Sequence, residues 1–91
     1  MDGTARNTLR LDQLPAEQWA TVVDITVPAD PADHDLVLRL VELGFVPGGA
    51  VRIIAEGMPG REPLAVRVGH TTFGLRRHEA SFIVVAPAGP K

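Results

Sequence analysis

Three arginines are the strongest candidates for chemistry in this sequence. Arg76 and Arg77 follow a run of alternating apolar residues, and Arg61 lies in the longest irregular stretch, residues 57–63. A guanidinium binds carboxylate or phosphate through two parallel hydrogen bonds, so these side chains could hold an acidic group of a partner. The alternative is structural, because an arginine can pack its stem on the protein and pair with a nearby acid such as Glu79. With both alternatives open, we predict partner contacts at Arg61, Arg76 and Arg77.

A second group of side chains could bind a metal ion. His34 stands close in sequence to Asp30, Asp33 and Asp35, which offers the imidazole and oxygen ligands of a weak site for a hard cation. The positive end of a helix dipole explains the same carboxylates, and no two histidines stand two to five residues apart. We therefore name only weak metal candidates, His34, Asp30 and Asp33, and expect no cofactor.

The residue patterns of common catalytic sites are missing from the sequence. There is no cysteine, which excludes disulfides, thiolate metal sites and a cysteine nucleophile. The only serine, Ser81, is not in a nucleophile-bearing turn, and residues 44–49 lack the Gly-Lys-Ser/Thr ending of a phosphate loop. We predict that the chain is not an enzyme and does not bind nucleotide by itself.

Length and composition are those of one soluble domain. The chain has 91 residues, of which 45% are hydrophobic and 22% charged, and its formal net charge is −2. That charge argues against a nucleic-acid binder that relies on phosphate neutralisation. The absence of cysteine, of a signal peptide and of an apolar run near ~20 residues predicts a cytoplasmic protein that does not insert into the membrane.

The charges divide unevenly along the chain. Residues 1–35 carry seven acids and two bases, a net charge of −5, whereas residues 36–91 carry four acids and seven bases, a net charge of +3. Such asymmetry could steer a charged partner. The resulting charge dipole would largely cancel if residues 1–35 and 36–91 interleave in one fold.

Alternating apolar residues predict six short strands bounded by glycine and proline. The runs are residues 8–11, 21–27, 51–56, 64–68, 73–75 and 82–85. In the second run, the alternation places Val23, Ile25 and Val27 on one face and Val22 on the other. Short, half-apolar antiparallel strands favour a small bent barrel, because closure removes exposed edges.

One segment has helical spacing instead. Its apolar stripe consists of Leu36, Val37, Leu40, Val41 and Leu43. Asp30 is a candidate N-cap, Gly44 is placed to end the helix in a left-handed conformation, and Pro47 blocks a restart. These signals predict one helix at residues 31–43, inserted among five or six antiparallel strands in a mainly β fold.

We expect one domain over residues 8–86, with flexible tails at 1–7 and 87–91. Trp19, the sole tryptophan, is either an interface anchor or a core residue, and we predict the core. The predicted core residues are Leu36, Leu40, Leu43, Phe45, Val23, Ile25, Ile53, Val66, Val68, Leu75 and Ile83.

Three stretches together resemble the ferrous iron transport protein A (FeoA) family. They are LVELGFVPG at 40–48 followed by VRI at 51–53, GMPGREPLAVRVG at 57–69, and LRRHEA at 75–80 with IVV at 83–85. The structural-motif positions are Leu43, Gly44, Pro47, Gly48, Gly57, Pro59, Leu75, Glu79 and Ala80. One departure is Ala16-Glu17, where the family often has a glycine turn.

The resemblance implies an SH3-like barrel with an inserted helix and a non-catalytic, cytosolic accessory role in bacterial ferrous iron uptake. The implied partner is the ferrous iron permease, through its cytoplasmic nucleotide-binding domain or adjoining cytoplasmic segments, with no nucleic acid involved. The resemblance does not say whether the protein activates, inhibits or scaffolds the permease, and a homodimer is left open.

Two alternatives use the same barrel. The first is a detached SH3-like module of an iron-dependent transcriptional repressor. The second is a small RNA-binding barrel, which is disfavoured because Phe45, Phe73, Phe82 and Trp19 all lie in apolar contexts.

Overall fold

The computed structural model describes residues 7–58 and 60–88, and within them six strands, two α-helices and two 3-10 turns form the fold. The strands are β1 (Leu9–Arg10), β2 (Trp19–Ile25), β3 (Ala50–Glu56), β4 (Leu64–Val68), β5 (Thr71–Leu75) and β6 (Ile83–Pro87). The helices are α1 (His34–Leu43) and α2 (Arg77–Ala80), and the 3-10 turns are Leu11–Gln13 and Pro31–Asp33. The predicted mainly β class is confirmed.

All strand pairs are antiparallel and belong to one sheet in the order β1-β6-β2-β3-β4-β5. Two irregularities interrupt the ladders, between Val22 and Asp24 in β2 and between Ile53 and Ala55 in β3. A bulge bends its strand and increases the local twist, so both irregularities help a short sheet to curve around its core.

The helix predicted at residues 31–43 is confirmed, with its first turn wound as a 3-10 helix. The side chain of Asp30 accepts a hydrogen bond from the N–H of Ala32 at 3.0 Å, as an N-cap does. Gly44 ends α1 in the left-handed region, at φ 116°, and its N–H donates to the carbonyl of Val41 at 3.0 Å.

A bulge in β2 makes one core prediction wrong. Val22 pairs with Val85 and Asp24 pairs with Val84, so Val23 is the extra residue of the bulge. The alternation therefore changes phase within the strand: Val22 is buried, Val23 is 41% exposed, and Ile25 packs half-buried against the core. Val23 does not belong to the core.

Trp19 is also placed differently from the prediction. It is 40% exposed, because it lies on the outward face of β2 beside the buried Ala20. At the departure Ala16-Glu17 noted above, Glu17 takes up the left-handed conformation, at φ 69°.

The rest of the predicted core lies inside or against it. Leu36, Leu43 and Ile25 are half-buried against the core cluster. The buried residues are Leu11, Leu14, Ala20, Val22, Leu40, Phe45, Val51, Ile53, Leu64, Val66, Val68, Leu75, Ala80, Ile83 and Val85.

The C-terminal strand runs further than predicted. Pro87, assigned above to a flexible tail, belongs to β6, and the N–H of Ala88 donates to the carbonyl of Trp19 at 2.9 Å. Residues 1–6 and 89–91 of the two predicted tails lie outside the described residues. Among the residues that are described, no helix has the length and apolar character needed to cross a bilayer.

Candidate functional site

The short helix α2 was not predicted from the sequence, and two of the three candidate arginines lie at its start, Arg76 as the N-cap and Arg77 as the first helical residue. Its first N–H groups are bound by carboxylates: Glu79 accepts from the N–H of Arg76, and Glu62 accepts from the N–H of Arg77, each at 2.7 Å. Glu79 reaches back along its own turn, as in a capping box. Glu62 comes from the loop before β4, so this loop and α2 hold each other in place.

The Arg77 side chain joins parts of the chain that are far apart in sequence. Its Nη1 donates to the backbone carbonyl of Asp12 at 2.8 Å, and its Nη2 donates to Oε2 of Glu56 at 3.2 Å. Asp12 belongs to the first 3-10 turn and Glu56 ends β3. One guanidinium thereby connects α2 to both elements, which is a structural role.

Glu56 also binds Arg61, which lies in the loop between β3 and β4. The Nε of Arg61 donates to Oε1 at 3.1 Å and its Nη2 donates to Oε2 at 3.4 Å, a two-pronged contact. The Arg61 hydrogen bond, helped by the positive charges of Arg61 and Arg77, holds the pKa of the Glu56 carboxyl below its ordinary value of 4.5. The same hydrogen bond raises the pKa of Arg61. We call Glu56, Arg61, Glu62, Arg76, Arg77 and Glu79 the arginine cluster.

The loop that presents Arg61 needs glycine at its start. The N–H of Gly57 donates to the carbonyl of Pro63 at 2.9 Å, and a Cβ at Gly57 would overlap the carbonyl oxygen of Glu62. Arg61 itself is left-handed at φ 63°, and the Glu62–Pro63 peptide bond is cis. The motif residue Pro59 lies outside the described residues.

Arg76 differs from its two neighbours. Its side chain is exposed, and across residues 7–58 and 60–88 no salt bridge to its guanidinium is found. The structure therefore brings Arg61 and Arg77 together on one carboxylate, whereas Arg76, which adjoins Arg77 in the chain, has an exposed side chain.

The metal candidates do not converge. Asp30 caps the N–H of Ala32, His34 Nε2 lies 3.2 Å from the carbonyl oxygen of Pro28, and Asp33 Oδ1 lies 3.2 Å from Nε2 of His78. Within the described part of the chain, no three His, Cys, Asp or Glu side chains are grouped to hold a metal ion. His78 and Asp33 are 45 residues apart, so no local sequence pattern could have predicted their pairing.

The remaining motif residues shape the turn after α1 and the base of α2. Gly48 is left-handed at φ 93°, and its N–H donates to the carbonyl of Val22 at 2.7 Å, so the turn that contains Pro47 contacts β2 beside its bulge. Leu75 and Ala80 are buried, and Leu43 packs half-buried against the same core. These residues have structural roles.

Two surface hollows flank α1, and the sequence predicted neither. One is a shallow groove of about 270 Å³ lined by Val27, Pro28, His34, Val37 and Leu38, which we call the α1 groove. The other, of about 320 Å³, separates α1 from β5 and includes Arg39 and Glu79 among its lining residues. Val37 belongs to the apolar stripe predicted for α1 but lines the α1 groove, and Val41 of the same stripe is 41% exposed, so the buried face of the helix is narrower than predicted.

Comparisons with known proteins agree on one family. Residues 9–87 match a model of the FeoA domain. The crystal structure of Stenotrophomonas maltophilia FeoA, a prokaryotic SH3 domain protein complexed with zinc, is 44% identical; the match covers 85% of this chain and 88% of that one, with a TM-score of 0.72. A solution structure of FeoA from Chlorobium tepidum is 30% identical, covers 91% of this chain and 74% of that one, and has the same TM-score of 0.72. No curated protein matches the sequence.

The SH3-like fold is thereby confirmed. A manganese-dependent transcriptional repressor complexed with manganese also matches, at 19% identity and a TM-score of 0.75 over 93% of this chain and 39% of that one. That likeness shows a shared fold only.

Proposed function

Because the chain belongs to the FeoA family, whose members are non-catalytic accessory proteins of ferrous iron transport, we propose that it binds the cytoplasmic part of the ferrous iron permease. The observation that carries this proposal is the family match over residues 9–87. The Stenotrophomonas maltophilia relative is itself described as a candidate activating factor of ferrous iron transport. The protein would act from the cytoplasm, without binding nucleic acid.

The arginine cluster supplies a contact surface for this role. Glu56 pairs with the Arg61 and Arg77 side chains, and side chains that are already oriented by such a partner lose less entropy when they bind. Arg76 adjoins Arg77 in the chain and has an exposed side chain. A carboxylate of the permease's nucleotide-binding domain, or of a segment next to it, would fit beside Arg76.

Binding to the permease in lipid nanodiscs tests the proposal. We expect the wild-type protein to bind, and Arg76→Glu to slow association and weaken binding while leaving the thermal midpoint unchanged. Arg67→Glu, on β4 away from the cluster, is the matched charge reversal and should bind normally. No binding by the wild type would contradict the proposed function. Equal binding by wild type and Arg76→Glu would remove this arginine from the contact.

A further inference from the structure

The α1 groove exposes apolar side chains that do not pack in the core. Leu38 is 61% exposed and Val27 is 82% exposed, and both line the groove. On α1, the core side is formed by Leu40, which is buried, and by the half-buried Leu36 and Leu43. Exposure of apolar side chains to water is unfavourable, so a continuous exposed apolar patch often marks a binding surface.

Helix geometry extends the patch along α1. Residues 34, 37, 38 and 41 stand three and four positions apart and therefore share one face of the helix. Val41 is also an exposed large hydrophobic residue, so the apolar surface continues beyond the groove for a further turn. The groove is smaller than the roughly 300–1,000 Å³ of a small-molecule site. An open hollow of this size suits a few anchoring side chains of a peptide.

The surroundings of the groove are acidic. Residues 24–44 carry five acids, Asp24, Asp30, Asp33, Asp35 and Glu42, and one base, Arg39. Asp35 stands three residues before Leu38 and Glu42 four residues after it, so both carboxylates lie beside that side chain on the helix surface. Within the described residues neither carboxylate forms a salt bridge. They therefore give the groove a negative rim.

We propose that the α1 groove binds a basic amphipathic segment, whose apolar side chains contact Val27 and Leu38 and whose Lys or Arg side chains pair with Asp35 and Glu42. Charge complementarity selects this occupant, because an acidic segment or an anionic lipid surface would be repelled. The inference rests on the proposed function, since cytoplasmic loops of membrane proteins carry an excess of Lys and Arg. It assigns the permease a second contact, distinct from the arginine cluster.

A synthetic peptide tests the groove independently of the permease. The probe is a Leu/Lys peptide with leucines three and four residues apart, compared with a peptide of the same composition in scrambled order and with a Leu/Glu peptide of the same spacing. We expect the first peptide to bind the intact wild-type protein best. Amide chemical shifts should change around residues 34–41 and not at the arginine cluster. Equal binding of ordered and scrambled peptides, or shift changes confined to other surfaces, would overturn the proposal.

Variants separate the apolar contact from the charged one. Val27→Thr with Leu38→Gln should weaken peptide binding by roughly tenfold or more, because burial of even one apolar side chain typically contributes about that factor. Glu42→Lys should weaken binding several-fold and reduce its salt dependence. Met58→Gln, an exposed apolar residue elsewhere, and Glu17→Lys are matched controls and should bind as the wild type does. Glu17 precedes β2 and Val27 follows it, so the two lie at opposite ends of that strand.

The same variants with the permease in nanodiscs distinguish the two possible failures. If the wild type does not bind the permease but binds the Leu/Lys peptide at the groove, the proposed function fails and the groove's specificity stands. If the wild type binds the permease and the Val27→Thr, Leu38→Gln variant binds equally well, the groove proposal is overturned while the proposed function stands. A concentration-dependent dimer of the wild type that this double variant abolishes would assign the groove to a second copy and overturn the proposal as well.

Discussion

The guanidinium of Arg52 lies over the indole ring of Trp19, with its central carbon 5.5 Å from the ring centroid. The two residues are directly paired across β2 and β3. A cation over an aromatic face is attracted by the ring quadrupole. This contact explains how a tryptophan that is only partly buried is held on the outer face of the sheet.

The pair should be energetically coupled. In a double-mutant cycle of Trp19→Ala and Arg52→Ala, we expect a coupling free energy of about 0.5–1 kcal/mol, the usual size of such a contact near a surface. Urea unfolding followed by circular dichroism measures all four proteins, since Trp19 is the only tryptophan and fluorescence would be lost with it. Strictly additive effects would show that the ring and the guanidinium merely lie close to each other.

Two leucines of α1 should respond very differently to the same truncation. Leu40 is 2% exposed in the core, so Leu40→Ala should reduce the free energy of unfolding by about 2–5 kcal/mol. Leu38→Ala, on the same helix, should change it by less than about 0.5 kcal/mol, because that side chain is mostly exposed. Denaturant unfolding of both variants checks the docking of the helix. Similar losses for the two would contradict the observed orientation of α1.

Gly57 should not tolerate a methyl group. A Cβ there would overlap the Glu62 carbonyl oxygen and lie 2.6 Å from its carbon, both of which are backbone atoms that cannot rotate away. We expect Gly57→Ala to cost about 1–3 kcal/mol, as overpacking does, and to lower the thermal midpoint by several degrees.

Gly74→Ala is the control for Gly57→Ala. A Cβ at Gly74 would make only ordinary contacts, at 3.8 Å from Pro63. Its thermal midpoint should therefore stay close to that of the wild type. A clear loss at Gly74 together with none at Gly57 would refute the assigned loop packing.

Glu56 should make stability depend on pH in the acid range. Its pKa is lowered in the folded protein by the Arg61 hydrogen bond and by the nearby guanidinium charges. The unfolded chain therefore binds the proton more readily, so this stabilisation is complete above the ordinary pKa of 4.5 and is lost as pH falls through the lowered value.

The variant Glu56→Gln should reveal this contribution. It should be less stable than the wild type at neutral pH, and the difference should shrink below about pH 4.5. Glu42→Gln, at an exposed position, should follow the wild-type curve. Parallel unfolding curves for wild type and Glu56→Gln from neutral to acid pH would contradict the role of this carboxylate.

The helix and most strand positions could be predicted because their signals are local. Asp30, the apolar spacing within residues 36–43 and Gly44 together defined α1, and these features act over one or two turns of chain. The position of Val23 could not be predicted in this way. Its burial depends on a bulge, which is set by how β2 pairs with β6 and not by the alternation within β2.

The candidate site was only partly predictable for the same reason. The sequence singled out Arg61 and Arg77 by type, but their shared carboxylate comes from the end of another strand, β3. Arg77 contacts the carbonyl of Asp12 across 65 positions of sequence. The α1 groove lies between α1 and the segment that joins β2 to α1. It could not be predicted from either stretch of sequence alone.

The pairing of β1 with β6 places Leu9 opposite Val85, so the first and last strands of the sheet are neighbours. Such adjacency permits circular permutation: a short linker could join the two strands while new ends open in the β4–β5 turn at residues 69–70. The core would keep every strand neighbour that it has now. The same geometry lets the domain be inserted into a surface loop of another protein, because its first and last strands are direct neighbours in the sheet.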